Sequence, residues 1–296
     1  MNSRPGARTV DPQLVITDLD NTLYNWIDYF APCFRAMVAA LEQRTKVGEE
    51  ELFRQFREVY ARYKDPEYSR APYELELLRH ECRERRDQLA HAAFAAFTRA
   101  RRHHLSAYPS VLNTLRWLKL RNVTIIGVSN APVREVLLRI RYLRIHGFLD
   151  SLVAWQGVSA NDYYAAVNIA RRSLIDLHVL SDGFRKPNVK AYFIPLAAHG
   201  HFDRRTVWVI GDSITIDLFP AQQIGARTAW ARYGQNFQSE NFETISRLTF
   251  WDRDRIAATY STDSLTPDAV LENFGQLPAV ISRRQRTSRA TTTAMT

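Results

Sequence analysis

The sequence predicts an α/β protein in which helices flank a parallel sheet and a helical domain interrupts the chain after the first strand. Over residues 107–235, short apolar runs rich in β-branched residues alternate with stretches of helical periodicity. Such alternation is typical of right-handed βαβ crossovers and a parallel sheet. Residues 27–106 show helical periodicity without a strand pattern, which predicts a purely helical insertion.

The first strand is the apolar run Leu14-Val15-Ile16, and three predicted helices follow it. Apolar side chains recur at helical spacing in three groups, which are Phe30, Phe34, Val38 and Leu41, then Leu52, Phe56, Val59 and Tyr63, and then Leu89, Ala93, Ala96 and Ala100. Pro66 and Pro72 should separate the second helix from the third. Asp87 is the predicted N-cap of the third helix.

Strands and helices alternate after residue 107. Ser110 is the predicted N-cap of a helix, and the β-branched run 123–128 is the next strand. A helix after Pro132 and a short strand over 148–154 continue the pattern. The remaining predicted elements are a strand at 206–210, a helix at 216–224 that stops at Gly225, and a final strand at 227–230.

Composition excludes several classes of protein. Apolar residues make up 46% and charged residues 24% of the 296-residue chain, as in ordinary soluble proteins. No apolar run approaches the roughly 20 residues of a membrane helix, and residues 1–10 lack the apolar core of a secretory signal. We therefore expect a cytoplasmic protein with no membrane partner. Cys33 and Cys82 are too few for a disulfide framework, and we expect reduced thiols in helices.

The chain is basic, with a formal net charge of +9. This charge permits nucleic-acid binding without favouring it. Basic residues cluster at 79–86, 99–102 and 283–289, and we interpret all three clusters as solvated surface. The last cluster lies in residues 282–296, which are polar and lack apolar periodicity, so this segment is a predicted disordered tail. The sequence leaves the oligomeric state open.

Two carboxylates follow the first strand directly. Asp18 and Asp20 are two residues apart, so their side chains should project in the same direction from the edge of the sheet. Burying like charges side by side raises a pKa and costs stability. A neighbouring Mg²⁺ reverses that preference and keeps both groups ionised. Taken alone, the pair is better explained as an acidic turn that closes a strand.

Three further polar motifs stand at predicted strand ends or helix starts, where parallel sheets bind their ligands. They are Ser129-Asn130, Lys186-Pro187, and Gly211-Asp212-Ser213 with Asp217. Phosphoryl transfer through a carboxyl phosphate requires a carboxylate nucleophile and a second carboxylate as acid and base. It also requires polar groups that hold the phosphate oxygens, and carboxylates that bind Mg²⁺. The four motifs together contain all of these groups.

In this order the motifs resemble those of the haloacid dehalogenase (HAD) superfamily, in its phosphatase branch, over about residues 12–235. The resemblance is to pyrimidine 5′-nucleotidase-like and phosphoglycolate phosphatase-like members, and it implies a Rossmann-like core with an α-helical cap. The predicted domains are the core at 12–26 plus 107–235, the cap at 27–106, an insertion before the third motif at 156–184, a C-terminal extension at 236–281 and the tail at 282–296. Within the insertion, Ser159-x-x-Asp162 predicts a capped helix that covers the sheet edge or flanks the site entrance.

The resemblance implies that Asp18 is the nucleophile and Asp20 the general acid and base. The implied phosphate-binding residues are Thr22, which would also position Asp20, Ser129, Asn130 through its amide, and Lys186. The implied Mg²⁺ ligands are Asp18, Asp20 through its carbonyl, Asp212 and Asp217. Ser129 as a mere strand end, Lys190 in place of Lys186, and Asp217 as a favourable charge at a helix start stay open as alternatives.

We therefore expect a Mg²⁺-dependent phosphomonoester hydrolase for a small phosphorylated metabolite. A nucleoside monophosphate or a phosphorylated acid is favoured, because arginines and two aromatic residues are predicted near the cap entrance. These residues are Arg62, Arg70, Arg79, Arg83, Arg99, Tyr24 and Trp26. Core packing is the alternative for the aromatic pair. A metal-independent 2-haloacid dehalogenase is disfavoured, since displacing halide needs no acid at Asp20. A basic nucleic-acid- or partner-binding protein on this scaffold is disfavoured by the intact motifs.

Overall fold

Seven parallel strands form one sheet in the computed structural model, which describes residues 13–200, 202–249 and 265–282. The strands are β1 (Leu14–Thr17), β2 (Thr124–Pro132), β3 (Ser151–Trp155), β4 (Asp176–Leu180), β5 (Val207–Gly211), β6 (Arg227–Ala231) and β7 (Ala269–Leu271). Their order across the sheet is β4-β3-β2-β1-β5-β6-β7, and every neighbouring pair is parallel. The predicted fold class, a parallel Rossmann-like sheet flanked by helices with a helical segment inserted, is confirmed.

Helices cover both faces of the sheet and form a separate layer after β1. The α-helices with both ends in the described residues are α1 (Trp26–Thr45), α2 (Glu49–Tyr63), α3 (Arg83–His104), α4 (Val111–Lys119), α5 (Val133–Tyr142), α6 (Ala160–Ser173), α7 (Lys190–Ala198), α8 (Phe219–Gln223) and α9 (Ser239–Leu248). In the part of the chain that the structure covers, no helix is both long enough and apolar enough to cross a bilayer.

The first strand occupies the centre of the sheet. All four of its residues are buried, and Ile16 lies between Ile126 of β2 and Val209 of β5. The chain adds β2, β3 and β4 on one side of β1 and then crosses over to add β5, β6 and β7 on the other. A reversal of this kind opens a crevice at the carboxyl ends of the central strands.

An aromatic core holds α1, α2 and α3 together between β1 and β2. The Phe34 ring of α1 lies 5.2 Å from Phe53 and 4.9 Å from Phe56 of α2, in edge-to-face arrangements that aromatic pairs favour.

The third helix begins earlier than predicted, with Cys82 and not Asp87 at its N-cap. Asp87 lies inside the helix, where its carboxylate lies 4.0 Å from Arg83 one turn earlier. Both cysteines are free thiols, Cys33 buried in α1 and Cys82 exposed.

Helix α9, in the segment predicted as a C-terminal extension, packs against the helices after β1. Arg35 of α1 donates to Thr244 at 2.8 Å and to Asn241 at 2.9 Å. Asn241 in turn donates to Asp28, at the start of α1, at 2.8 Å. The same segment supplies β7, so the predicted final strand, β6, is not the last strand of the sheet.

The segment predicted as an insertion, 156–184, supplies an edge strand as well as a helix. The Ser159 hydroxyl accepts from the Asp162 amide at the start of α6, as the capping motif predicts. Strand β4 then pairs with β3 in parallel. This strand was not predicted, because its sequence, Asp-Leu-His-Val-Leu, alternates polar with apolar residues over only five positions.

Candidate active site

A tight turn after β1 carries the first two carboxylates. The Asp18 amide donates to the Ile210 carbonyl of β5 at 2.8 Å, which continues the sheet by one residue. Asn21 then adopts a positive φ of 57°, which asparagine tolerates better than most residues. Its side-chain oxygen accepts from the Trp26 amide at 3.0 Å, at the start of α1. The turn therefore presents Asp18 and Asp20 at the carboxyl edge of the sheet while the chain leaves for the helices.

A buried lysine joins two of the predicted carboxylates. Lys186 Nζ donates to Asp18 Oδ1 at 2.5 Å and to Asp217 Oδ1 at 2.7 Å, and all three side chains are almost fully buried. Lys190, the alternative lysine, lies instead with its Nζ 4.2 Å from the centre of the Phe184 ring. The structure therefore brings Lys186, and not Lys190, to Asp18.

The side chain of Asn130 holds the backbone of Lys186. Asn130 Nδ2 donates to the Lys186 carbonyl and Asn130 Oδ1 accepts from the Lys186 amide, both at 2.8 Å. This two-point contact ties the carboxyl end of β2 to the loop before α7. The side chain of Asn130 thus positions the lysine, and phosphate binding by its amide stays a prediction.

Three carboxylates converge beside this lysine. Asp18, Asp212 and Asp217 are buried, and each offers one oxygen within 4.8 Å of the oxygens offered by the other two. Asp217 lies in a π-helical turn, Ile214–Leu218, which begins before the predicted helix start, and its Oδ2 accepts from the Ser213 amide at 3.1 Å. A Cβ on Gly211 would lie 2.4 Å from the Asp217 Cβ, so only glycine permits this approach.

The electrostatics of this cluster favour a bound cation. When ionised, three carboxylates against one ammonium group leave two negative charges in a buried site. Burial, with the nearby charges of Asp217 and Asp20, raises the pKa of Asp18 to about 7 despite Lys186. Burial and the charge of Asp18 likewise hold the pKa of Asp212 well above its usual range. Asp18 Oδ2 is buried without a hydrogen-bond partner. An all-oxygen donor set with two excess charges fits Mg²⁺.

Without metal, the raised pKa of Asp18 predicts a loss of stability as pH rises. The pKa of the Asp18 carboxyl is about 7 in the folded protein, against an ordinary value of 3.8. The stability that this group contributes is therefore fully present below the lower pKa and is lost as pH rises to the higher one. In EDTA, Asp18→Asn should therefore gain in free energy of unfolding relative to wild type between about pH 4 and about pH 7. Urea unfolding across this range measures the gain. Saturating Mg²⁺ should remove it, and a difference that stays constant with pH would contradict the expectation.

Asp20 is held by contacts different from those of Asp18. Ser129 Oγ donates to Asp20 Oδ2 at 3.1 Å and accepts from the Ala131 amide at the same distance. On the other side, Arg139 Nη2 lies 3.2 Å from Asp20 Oδ1. The Asp20 side chain is 22% exposed against 9% for Asp18, so it reaches the crevice more openly. Ser129 therefore does more than end a strand, since it orients Asp20.

Thr22 lies away from the crevice, contrary to the prediction that it binds phosphate. The residue is fully buried, and its hydroxyl has no hydrogen-bond partner among the described residues. Its carbonyl accepts from the Tyr233 hydroxyl at 2.6 Å. Thr22 thus fixes the turn through its backbone and its packing, since its hydroxyl makes no hydrogen bond to Asp20 and the residue does not line the crevice.

The chain is similar to known hydrolases in part of its sequence and in its fold. Residues 183–251 match a family model described as HAD-hydrolase-like, and no curated protein matches the chain. A 2-haloacid dehalogenase from Pseudomonas syringae pv. Tomato DC3000 is 23% identical, with 92% of this chain and 99% of that chain covered and a TM-score of 0.53. A putative HAD-hydrolase from Bacillus subtilis, solved bound to magnesium, is 13% identical with the same coverage and TM-score. A putative β-phosphoglucomutase from Thermotoga maritima is 18% identical with the same coverage and a TM-score of 0.52.

The chain has the HAD-superfamily fold. The predicted resemblance is confirmed in two respects, since a HAD-hydrolase-like family model matches residues 183–251 and the solved structures of similar fold include HAD hydrolases. The family model is one of hydrolases, and its match includes the third and fourth motifs, from Lys186 to Asp217. At these identities the similarity to solved structures concerns the fold alone.

A cavity of about 710 Å³ opens above the carboxylates of this HAD-fold protein. Residues of the segment that contains α1, α2 and α3, of the sheet edge and of α9 line it. They include Trp26, Lys64, Asp65, Glu67, Trp155, Arg185, Phe242 and Ile245. None of the five arginines predicted to recognise substrate is among its lining residues. Arg62 and Arg83, for example, lie beside Glu74 and Asp87 on the surface. Helical periodicity predicted that these arginines lie in the helical segment after β1, but it did not give the direction of their side chains.

The two predicted aromatic residues differ in their environments. Tyr24 is fully buried, and its hydroxyl accepts from Arg139 Nε at 3.0 Å, so it packs in the core as the alternative had it. Trp26 lines the cavity but is only 5% exposed. Its ring stacks on Phe30 at 4.9 Å, and its Nε1 donates to Glu67. Trp26 therefore forms part of the cavity wall.

Several residues of the site were not predicted from the sequence, above all Arg139, Asp65, Glu67 and Gly234. A Cβ on Gly234 would lie 2.1 Å from the Asn21 carbonyl oxygen and 2.7 Å from Asp212 Cβ, so its absence lets two segments of the site meet. Only Arg139 left a signal in the sequence. It follows Val136 by three positions and therefore falls on the buried face of α5.

Proposed function

We propose that this protein is a Mg²⁺-dependent phosphomonoester hydrolase that acts through a phosphoryl group on Asp18. One observation carries the proposal, namely the buried cluster in which Lys186 bonds both Asp18 and Asp217 beside Asp212. Such a cluster has a nucleophile, a cation for phosphate oxygens and an excess negative charge that suits a divalent metal. Asp20 stands beside it, outside the contact with Lys186 and more exposed.

In the proposed first step, Asp18 attacks phosphorus and the bond from phosphorus to the leaving oxygen breaks. Asp20 gives its proton to that oxygen, so the alcohol leaves neutral. In the second step, Asp20 takes a proton from water as the water oxygen attacks phosphorus, and the bond to Asp18 breaks to release phosphate. Lys186 favours the ionised form of Asp18 against the effect of burial, and it neutralises charge on phosphorus-bound oxygens.

Asp18, Asp212, Asp217 and the carbonyl of Asp20 would hold the Mg²⁺, which supplies charge neutralisation for the phosphate when bound. The residues fit this group, because their oxygens converge and because Asp18 Oδ2 is buried and unpaired. The magnesium in the Bacillus subtilis protein of similar fold supports the same choice of ion.

A 2-haloacid dehalogenase is the rival with the same nucleophile. The likeness to such an enzyme from Pseudomonas syringae, at 23% identity, concerns the fold. Displacing halide from carbon leaves no oxygen to protonate, and the reaction has no use for a metal-binding cluster. The positioned carboxylate of Asp20 and the excess charge around Asp212 therefore favour phosphate ester chemistry.

The cavity wall favours a nucleoside monophosphate over a phosphorylated acid as substrate. This wall combines aromatic and apolar side chains with the carboxyl groups of Asp65 and Glu67. Burial and the charge of Glu67 raise the pKa of Asp65 to about 7, and no ion pair within the described residues neutralises it. Where Asp65 is ionised, it would repel a second carboxylate on the substrate, whereas the hydroxyls and ring of a nucleoside would not be repelled. Two cations, Lys64 and Arg185, also line the cavity, and Arg185 is already paired with Asp182.

Purified protein tests the function directly. We expect hydrolysis of p-nitrophenyl phosphate in Mg²⁺ and no hydrolysis in EDTA, with activity restored when Mg²⁺ is returned. In the same assay, a nucleoside monophosphate should exceed phosphoglycolate in kcat/KM, and Asp65→Asn should narrow the difference by favouring the acid. Full activity in EDTA, or release of halide from 2-chloropropionate, would contradict the proposed chemistry. A preference for phosphoglycolate would contradict only the substrate assignment.

A further inference from the structure

Arg139 is the largest fully buried side chain among the described residues, and three partners surround its guanidinium. Its Nε donates to the Tyr24 hydroxyl at 3.0 Å, and its Nη1 donates to Glu67 Oε1 at 2.5 Å. Its Nη2 lies 3.2 Å from Asp20 Oδ1. All of its nitrogens thus face Tyr24, Glu67 or Asp20.

These partners come from different parts of the fold. Arg139 belongs to α5, which packs on the sheet, whereas Glu67 lies in the turn between α2 and α3. Tyr24 lies where the chain leaves the sheet for α1. Glu67 also accepts from Trp26 Nε1, so one buried carboxylate joins the cavity wall to the guanidinium. Burying these charged groups costs desolvation energy, and removing one of them would leave the others unpaired. We therefore expect such an arrangement to serve a function.

The geometry leaves Asp20 little freedom to turn. Ser129 donates to its Oδ2, and the Arg139 guanidinium stands beside its Oδ1, so both carboxylate oxygens have a fixed neighbour. Arg139 itself is held by Tyr24 and Glu67. A group that must deliver a proton to a leaving oxygen benefits from such fixed geometry, since a misplacement of about 1 Å can cost about 10²-fold in rate.

We propose that Arg139 is a positioning residue that aims Asp20 at the leaving oxygen, and that Glu67 holds Arg139 in place from the helical layer above the cavity. The inference rests on the proposed phosphatase function and extends it. It assigns a role in the chemistry to two residues that belong to none of the four motifs. Because Glu67 contacts both Trp26 and Arg139, a substrate that contacts this part of the cavity wall would then affect the position of Asp20, which protonates the leaving oxygen.

Leaving-group dependence separates positioning of Asp20 from a purely structural role. An alkyl phosphate needs a proton on its departing oxygen, whereas 2,4-dinitrophenyl phosphate departs without one. Arg139→Met should therefore lower kcat/KM for an alkyl phosphate by about 10²-fold but change kcat/KM for the dinitrophenyl ester by less than about threefold. Glu67→Gln, which keeps its size and its acceptor oxygen, should show the same selectivity with a smaller loss. Arg141→Met, an exposed arginine two residues along α5, is the matched control and should affect neither ester.

A second readout is the hydrolysis of the phosphoryl group on Asp18, which is the second half of the reaction. Water attack also needs Asp20, so Arg139→Met and Glu67→Gln should slow release of phosphate from Asp18 and produce a burst of dinitrophenol in rapid mixing. Glu67→Gln keeps the experiment informative if Arg139→Met does not fold.

Equal losses for the two esters in both variants would overturn the inference. A selective loss in Arg139→Met with none in Glu67→Gln would overturn the part assigned to Glu67. Wild-type protein that hydrolyses neither ester would overturn the proposed function and the inference together. An active wild type with unselective variants would overturn the inference alone.

Discussion

Asp18→Asn is expected to abolish phosphomonoester hydrolysis, with a loss in kcat of about 10⁴-fold or more, because the amide cannot attack phosphorus. The substitution is isosteric, and it removes one of three carboxylates from a buried site that contains a single lysine. The variant should therefore fold at least as well as wild type in the absence of metal. Initial rates in saturating Mg²⁺, together with thermal unfolding in EDTA, measure both effects.

Asp176→Asn provides the matched control for this variant. Asp176 lies on the edge strand β4 with a 56% exposed side chain, and its carboxylate lies 3.0 Å from the imidazole of His178 in the same strand. The control should retain full activity. Residual turnover by Asp18→Asn within tenfold of wild type, with unchanged Mg²⁺ dependence, would contradict the assignment of Asp18 as nucleophile.

Lys186→Met should have the second largest effect, acting on stability and activity together. Loss of the ammonium group leaves Asp18, Asp212 and Asp217 buried without a counter-charge, and breaking a buried pair costs about 3–5 kcal/mol. In EDTA the free energy of unfolding should fall by about that amount. Because Mg²⁺ replaces the missing charge, saturating metal should restore much of the stability. Activity in Mg²⁺ should still fall by about 10²–10³-fold, since one cation no longer contacts the reacting group.

Lys190→Met separates this effect from a general effect of losing a lysine. Lys190 lies four residues along the chain, is exposed, and contacts the Phe184 ring instead of a carboxylate. It should change neither the stability in EDTA nor the rate by more than a small factor. An equal loss in the two variants, or a Lys186→Met protein whose stability ignores Mg²⁺, would contradict the electrostatic account of the cluster.

The core strands were predictable because their residues carry a strong local signal. Strands β1, β2 and β5 are buried on both faces and therefore read as apolar, β-branched runs. The edge strands gave no such signal, since β4 alternates polar with apolar residues and β7 spans only three residues. Both segments form strands because they pair with β3 and β6, and a local stretch of sequence does not show pairing between separate segments.

The site shows the same division between local and distant information. Asp18, Lys186, Asp212 and Asp217 were predictable as a group, because the carboxyl ends of neighbouring parallel strands meet at one edge of the sheet. The contact of Arg139 with Glu67 spans 72 positions in sequence and joins α5 to the turn between α2 and α3, and only the tertiary structure gives the relative placement of the two. The five arginines were predicted to face the cavity only because they lie in the helical segment after β1. None of them lines the cavity, because the orientation of each helix face toward a neighbour or toward solvent determines where its side chains point.

The central claim, a phosphoryl group carried on Asp18, is tested most directly by rapid acid quench during turnover. Wild-type protein mixed with p-nitrophenyl phosphate and Mg²⁺, quenched within milliseconds and digested, should yield one phosphorylated peptide containing Asp18. Fragmentation should place the phosphoryl group on that residue, and Asp18→Asn should yield none under the same conditions. Phosphate found on another residue, or steady turnover by wild type with no phosphorylated peptide at any quench time, would contradict the account.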